Sequence, residues 1–275
     1  MADEEKPKRT VVERAYRDEL FLRTPEARPL RILAEYLEPL RRFNRYRVED
    51  TIVFFGSARI MSRERTEAAL EAATLAGEDL APFQARLELS RYYETTRELA
   101  RRLTEWSKGL GEGERRFVVC SGGGPGIMEA ANRGASEARG LNIGLNIALP
   151  FEQEENPYIT RELLFNFHYF FMRKFWFAYL AKAMVIMPGG FGTFDELFEI
   201  LTLIQTRKIR KRLPIVLFGK AFWSEVVNFE ALVRHGTISP EDLNLFFLTD
   251  SVDEAFQHIT QQLTTYALHD PGPSL

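Results

Sequence analysis

The chain has 275 residues, enough for one large domain or two small ones. Its 36 basic and 39 acidic residues nearly cancel, to a net charge of −3, so no whole-protein field would gather nucleic acid or anionic membrane. A single cysteine excludes an internal disulfide framework and a cysteine-based zinc site, and His168, His235, His258 and His269 are too scattered to pair on a metal at helical spacing.

Residues 1–14 read as a polar, mobile tail without the apolar stretch of a signal peptide, and no apolar run reaches the roughly 18 residues that span a bilayer. The expectation is a cytoplasmic protein whose residues 15–275 form one domain with an N-terminal helical extension. In that extension Leu30, Leu33, Leu37 and Leu40 recur at helical spacing over 26–47, and Pro39 is expected to kink or divide the helix. Strands follow at TIVFFG (51–56), RFVVC (116–120), NIGLNIALP (142–150), AMVIM (183–187), PIVLFG (214–219) and FFLT (246–249). Between them helices are predicted at about 88–108, 125–139, 160–181, 194–206, 221–234 and 252–266. Strands alternating with helices predict an α/β fold, a Rossmann-like, doubly wound, mostly parallel sheet flanked by helices. Such sheets bind ligands beyond the carboxyl ends of their strands, where the strand order reverses.

Two glycine loops stand at that kind of place. SGGGPGIMEA (121–130) lies between a strand and a helix. It lacks the Gly-Lys-Ser/Thr of a Walker A loop, and Ile127 stands where G-x-G-x-x-G, counted from Gly122 and Gly124, needs its last glycine. It is either a tight strand-to-helix turn or a place where the backbone at Gly123 and Gly124 approaches an anion. The second loop is in AMVIMPGGFGTFDELFE (183–199). Thr193 can act as helix N-cap with Glu196 three residues on, a capping box. Capping does not explain the preceding Pro188-Gly189-Gly190-Phe191-Gly192, which suits a loop closing on a phosphate.

The segment LLFNFHYFFMRKFWFAYLAKA (163–183) reads as one helix, apolar on nearly every face, with Arg173 and Lys174 as its only full charges between Phe165 and Ala181. A buried guanidinium needs an anion. Arg173 is either a structural or snorkelling cation or faces an active-site anion, with Glu196 as partner. So much aromatic surface calls for a second copy of the chain, or for the N-terminal helix folded over it. Phe55-Gly56-Ser57-Ala58-Arg59 is a plain turn or adds donors from Gly56 and Ser57 to the same cleft. Cys120 reads as structural. QTRKIRKR (205–212) is a solvated helix end or a basic rim that attracts phosphate.

PGGFGTFDE (188–196) resembles the PGGxGTxxE signature of the LONELY GUY (LOG) family, the cytokinin-activating nucleoside 5′-monophosphate phosphoribohydrolases, many of them catalogued as possible lysine decarboxylase. Met172-Arg173-Lys174 is similar to the end of that family's MHxRK motif, without its histidine, as in the longer bacterial branch. SGGGPGIMEAANRGA (121–135) and FGSAR (55–59) resemble further blocks, and the likeness runs from about residue 50 to 220. The N-terminal extension departs from the short plant-type members.

The resemblance implies hydrolysis of the N-glycosidic bond of a nucleoside 5′-monophosphate, AMP or an N6-modified AMP, to free base and ribose 5-phosphate. It implies no cofactor and no metal. Glu196 and Arg173 would be catalytic, Arg173 holding Glu196 ionised. Gly189, Gly190, Gly192 and Thr193 would grip the phosphate and Glu129 the ribose, with Gly56, Ser57, Gly123, Gly124, Met172 and Lys174 completing the pocket. A homodimer, or a larger assembly of dimers, is implied as well. The alternative is a non-catalytic nucleotide- or cofactor-binding protein of the same fold. The acidic balance and the lack of a basic, aromatic-interleaved stripe disfavour a nucleic-acid partner. Amino-acid decarboxylation would need a pyridoxal lysine, for which Lys174 stands only by elimination.

Overall fold

The computed structural model describes residues 12–111, 115–148 and 156–273. Of the segment read as a tail, residues 1–11 lie outside that set, as do residues 149–150 at the end of the third predicted strand.

Among the described residues seven parallel strands form one sheet: β1 (Thr51–Phe55), β2 (Val118–Ser121), β3 (Asn142–Ile147), β4 (Leu164–Phe167), β5 (Ala181–Ile186), β6 (Ile215–Phe218) and β7 (Phe247–Thr249). Their spatial order is β4-β3-β2-β1-β5-β6-β7, so the order reverses between β1 and β5. The helices are α1 (Glu19–Arg23), α2 (Arg28–Tyr46), α3 (Arg63–Ala76), α4 (Ala81–Lys108), α5 (Ile127–Glu137), α6 (Phe170–Leu180), α7 (Phe191–Gln205), α8 (Lys220–Val226), α9 (Phe229–Arg234) and α10 (Val252–Tyr266).

Side chains alternate across the sheet. In β1, Ile52 and Phe54 enter a core shared with α4, α5 and α10, whereas Val53 and Phe55 enter one shared with α2, α6 and α7. Both faces are therefore covered, which is why the central strands read as unbroken apolar runs.

The single helix expected over 160–181 is instead a 3-10 turn (Arg161–Leu163), then β4, then α6. Phe165 and Phe167 are buried while Asn166 between them is exposed, a period of two that belongs to a strand. The expected 221–234 helix is likewise two, because Asn228 breaks the run and caps α9 by accepting from the Ala231 N–H at 2.8 Å. Helix α3, absent from the sequence reading, has few buried apolar residues, but Ser62 caps its start and left-handed Gly77 its end.

Helix α2 runs through Pro39 without division. Proline leaves the Glu35 carbonyl without its helical donor, and the Trp176 indole N–H of α6 donates to it at 3.0 Å. The Glu35 carboxylate accepts from the His168 and Tyr169 N–H groups at the start of α6. Tyr36 and Phe43 pack on Trp176. The N-terminal helix thus covers one side of α6 within the chain, although Phe170 and Phe171 remain about half exposed.

Candidate active site

Three loops leave the carboxyl ends of β1, β2 and β5 and are tied together by their backbones. The Ser57 N–H donates to the Pro188 carbonyl at 3.0 Å, and the Ser57 carbonyl accepts from the Ile127 N–H at 3.0 Å. Glycine is required at two of these crossings. A side chain on Gly56 would strike Ile127, and Gly126, at φ +70°, lies with its missing Cβ 2.5 Å from the Ser57 carbonyl oxygen. The FGSAR segment is therefore the knot joining the other two loops, and the Ser57 hydroxyl accepts from the Arg59 N–H.

The SGGGPG loop rests on a buried polar network that the sequence did not reveal. The Gly123 N–H donates to the Ser121 hydroxyl at 3.0 Å, which donates to Asn132 Oδ1 at 2.6 Å; Asn132 in turn holds Asn142, the Ile143 carbonyl and Asn156. The Gly123 amide is thus satisfied internally. Gly124 is buried in the same loop. The available signal was Asn132, which with Glu129 interrupts the small, apolar buried face of α5.

Arg173 reaches beneath this loop from α6. Its Nε donates to the Leu145 carbonyl at 2.8 Å, and its guanidinium fills the space a Gly122 side chain would need. Burial lowers the Arg173 pKa, and the Glu196 charge partly restores it. Glu196 lies on α7 and is only 8% exposed. Its carboxyl is pushed up to about 7, mainly by burial, despite the Lys174 and Arg173 cations nearby. The expectation that Arg173 keeps Glu196 firmly ionised is corrected: the two couple through space without a direct ion pair, and desolvation prevails. A carboxyl titrating near neutrality is poised to act as acid or base.

Thr193 is not the N-cap, and no capping box joins it to Glu196. Helix α7 starts at Phe191 with Gly190 as N-cap, so Thr193 is its third residue and its N–H donates to the Gly190 carbonyl at 2.9 Å. That corrects the idea that the Thr193 amide is open to a phosphate. The Phe191 and Gly192 amides, which precede the first helical bonds, remain at the positive end of the helix. Gly189 is required because the Thr193 side chain fills its Cβ position, whereas Gly190 and Gly192 have nothing within 4 Å of theirs.

Glu129 is not a surface carboxylate. It is buried at the start of α5, accepts from the Tyr93 hydroxyl at 2.6 Å and lies 3.7 Å from Arg65. Met172 packs in the core on the α6 face. Lys174 bridges α6 to α7 through ion pairs with Asp195, at 2.7 Å, and Glu199. Burial opposes its charge, but hydrogen bonds to those carboxylates prevail and raise its pKa, the reverse of the free amine that a Schiff base requires. Cys120 is buried and its thiol is pushed up by desolvation, as a structural cysteine would be.

The family model described as "Possible lysine decarboxylase" matches residues 128–259, just under half of the chain. Two rice proteins (Oryza sativa subsp. japonica), each named a probable cytokinin riboside 5′-monophosphate phosphoribohydrolase, are similar. LOG4 is 25% identical over 146 residues, 52% of this chain and 62% of the relative; LOGL5 is 27% identical over 125 residues, 45% and 50%. Over these spans the chain is similar to LOG proteins. Its alignments span less than two thirds of each of these LOG relatives. Among solved structures, the Moco carrier protein from Chlamydomonas reinhardtii is 18% identical, covers 79% of this chain and 99% of its own, and superposes with a TM-score of 0.47.

Proposed function

We propose that the protein hydrolyses the N-glycosidic bond of a nucleoside 5′-monophosphate, AMP or an N6-modified AMP, releasing the base and ribose 5-phosphate. The observation that carries this reading is the buried carboxyl of Glu196, titrating near 7, one turn inside a helix whose glycine-flanked N-terminus opens at the strand-order reversal. The phosphate sits on the Gly190, Phe191 and Gly192 amides and the Thr193 hydroxyl. That remote grip fixes the sugar so that C1′ lies against Glu196. As the C1′–N bond breaks, its electron pair leaves with the base and positive charge grows on the ribose. The ionised Glu196 stabilises that charge and takes a proton from the water that adds to C1′, while the departing base takes up a proton from solvent and Glu196 later returns its own to solvent. Arg173 is the counter-charge that raises the carboxylate fraction. Glu129, oriented by Tyr93, holds a ribose hydroxyl. Gly56, Gly123 and Gly124 let the loops close around the sugar, Ser57 ties them, and Met172 and Lys174 position Arg173 and α7.

The test is a panel of nucleoside 5′-monophosphates and matching nucleosides, assayed for free base. AMP or N6-modified AMP should be cleaved and adenosine should not. Equal turnover of AMP and adenosine breaks the phosphate argument. Binding without turnover of any monophosphate leaves a nucleotide-binding protein. With Glu196 acting as carboxylate, kcat/KM should rise with pH through about 7 and then level off; a rate falling over that range reverses its role.

The protein acts as a homodimer in this reading. Leu30, Leu33 and Leu37 form an exposed stripe on α2, and Phe170 and Phe171 are exposed on α6. An isologous contact buries such surfaces on both copies at once. Light scattering at micromolar concentration should return twice the chain mass or a multiple; the mass of one chain contradicts it.

A further inference from the structure

At the opposite end of the sheet from the glycine loops, where β6 and β7 begin, lies a cavity of about 920 Å³. The basic run 205–212 forms its rim. Arg207, Arg210, Lys211 and Arg212 all line it, and none of its lining residues is acidic, in a chain where acids outnumber bases. Lys211 is already committed, donating to the Ala178 and Tyr179 carbonyls at the end of α6. Arg212 lies over the Tyr266 ring at 4.2 Å. Arg207 and Arg210 are exposed and, among the described residues, neither is within ion-pair distance of a carboxylate. The buried part of the wall is apolar, Ile209, Leu213 and Ile215, and the partly exposed Leu245, Phe246 and His258 ring, stacked on Phe247 at 4.5 Å, continue it. Burial lowers the His258 pKa, which favours the neutral ring and keeps this inner wall uncharged.

We propose that this cavity is a second ligand site, taking an organic phosphate whose anionic head meets Arg207 and Arg210 and whose apolar or aromatic body lies on the inner wall. Guanidinium groups match phosphate oxygens in planar, bidentate geometry. A solvated helix end would explain the charges but not the acid-free cavity behind them. Helix α7 runs between the two sites, with Glu196 near its start and Ile204 in the cavity wall. The inference does not rest on the hydrolase reading.

The experiment is calorimetric titration of the full chain with three probes: ADP for a flat aromatic body, geranyl pyrophosphate for an aliphatic one, and inorganic pyrophosphate for the head alone. At least one organic probe should bind, more tightly than inorganic pyrophosphate. Its affinity should fall at least tenfold in Arg207→Glu/Arg210→Glu. It should also fall in Gln262→Glu, a same-shaped change that places a carboxylate in the lining without disturbing the core. Whichever organic probe is lost identifies the body. ADP binding that persists in both variants belongs to the glycine loops, and if geranyl pyrophosphate shows no variant-sensitive binding either, the proposal is overturned. Organic-probe affinities unchanged in both variants, no organic binding, or binding no tighter than inorganic pyrophosphate overturns the proposal. The hydrolase assay reads the first site separately, since neither variant touches it.

Discussion

The loop after β2 and the loop after β5 are both glycine-rich, and they use glycine for opposite purposes. After β2 the glycines serve the chain itself: Gly122 makes room for Arg173, Gly123 takes φ +75°, and Gly126 passes the Ser57 carbonyl at close range. After β5 only Gly189 is held by a neighbour, and Gly190 and Gly192 face open space with nothing in the chain that demands them. The first loop is a junction that sets where Arg173 and α5 sit. The second is a helix start at which two glycines meet no neighbouring atom. A glycine run alone does not mark a ligand; a glycine without a steric reason is where to test for one.

The largest effect should come from the open side. Glu196→Gln keeps the shape of the side chain but cannot carry charge, and should lower kcat about 10²–10⁴-fold. A drop within tenfold would make Glu196 a packing residue. The same variant should be more stable than the parent at pH 8. The sign follows from the raised pKa: the folded state binds the Glu196 proton more tightly than the unfolded chain, whose value is 4.5, so stability is fully present below 4.5 and is lost as pH rises through about 7. At pH 8 the glutamine should recover on the order of 3 kcal/mol, and at pH 4 almost none. Urea unfolding at the two pH values measures it, and an equal difference at both contradicts a raised pKa.

On the junction side, Gly126→Ala should cost about 2–3 kcal/mol, from a left-handed backbone and a methyl pressed on a carbonyl. Denaturant melting checks this. A variant as stable as the parent would show that the crossing of the β1 and β2 loops has slack and that Gly126 is not needed there.

The sheet was legible because each central strand is a short apolar run ended by Gly or Pro, and both faces are buried. Strand β4 was not, because Leu164–Phe167 runs into the aromatic stretch of α6 and a four-residue alternation disappears inside a longer apolar window. That Arg173 lies close enough to Glu196 to feel its charge was legible from the cost of a buried cation; that the two make no direct ion pair and that burial outweighs charge was not. That balance depends on how much water reaches Glu196, which the packing of the folded chain around it decides. The Ser121–Asn132–Asn142–Asn156 network was invisible for a similar reason: its members are 35 residues apart end to end and meet only when β2, β3 and α5 are assembled.

Gly192→Ala is the smallest change and the sharpest test of the open side. Gly192 is the second residue of α7, its φ is not in the left-handed region, and an added methyl meets no atom within 4 Å. Alanine is favoured over glycine in a helix by up to about 1 kcal/mol, so melting should show a protein equal to or slightly more stable than the parent. If the bare backbone exists to admit a phosphate, the methyl occupies the approach to the Phe191 and Gly192 amides. KM for the monophosphate should then rise about tenfold, about 1.4 kcal/mol of binding, with a smaller change in kcat. A stabilised protein with a weakened grip separates this glycine from every glycine of the β2 loop. An unchanged KM would mean the phosphate does not approach there, and the anion would have to be sought on another helix start.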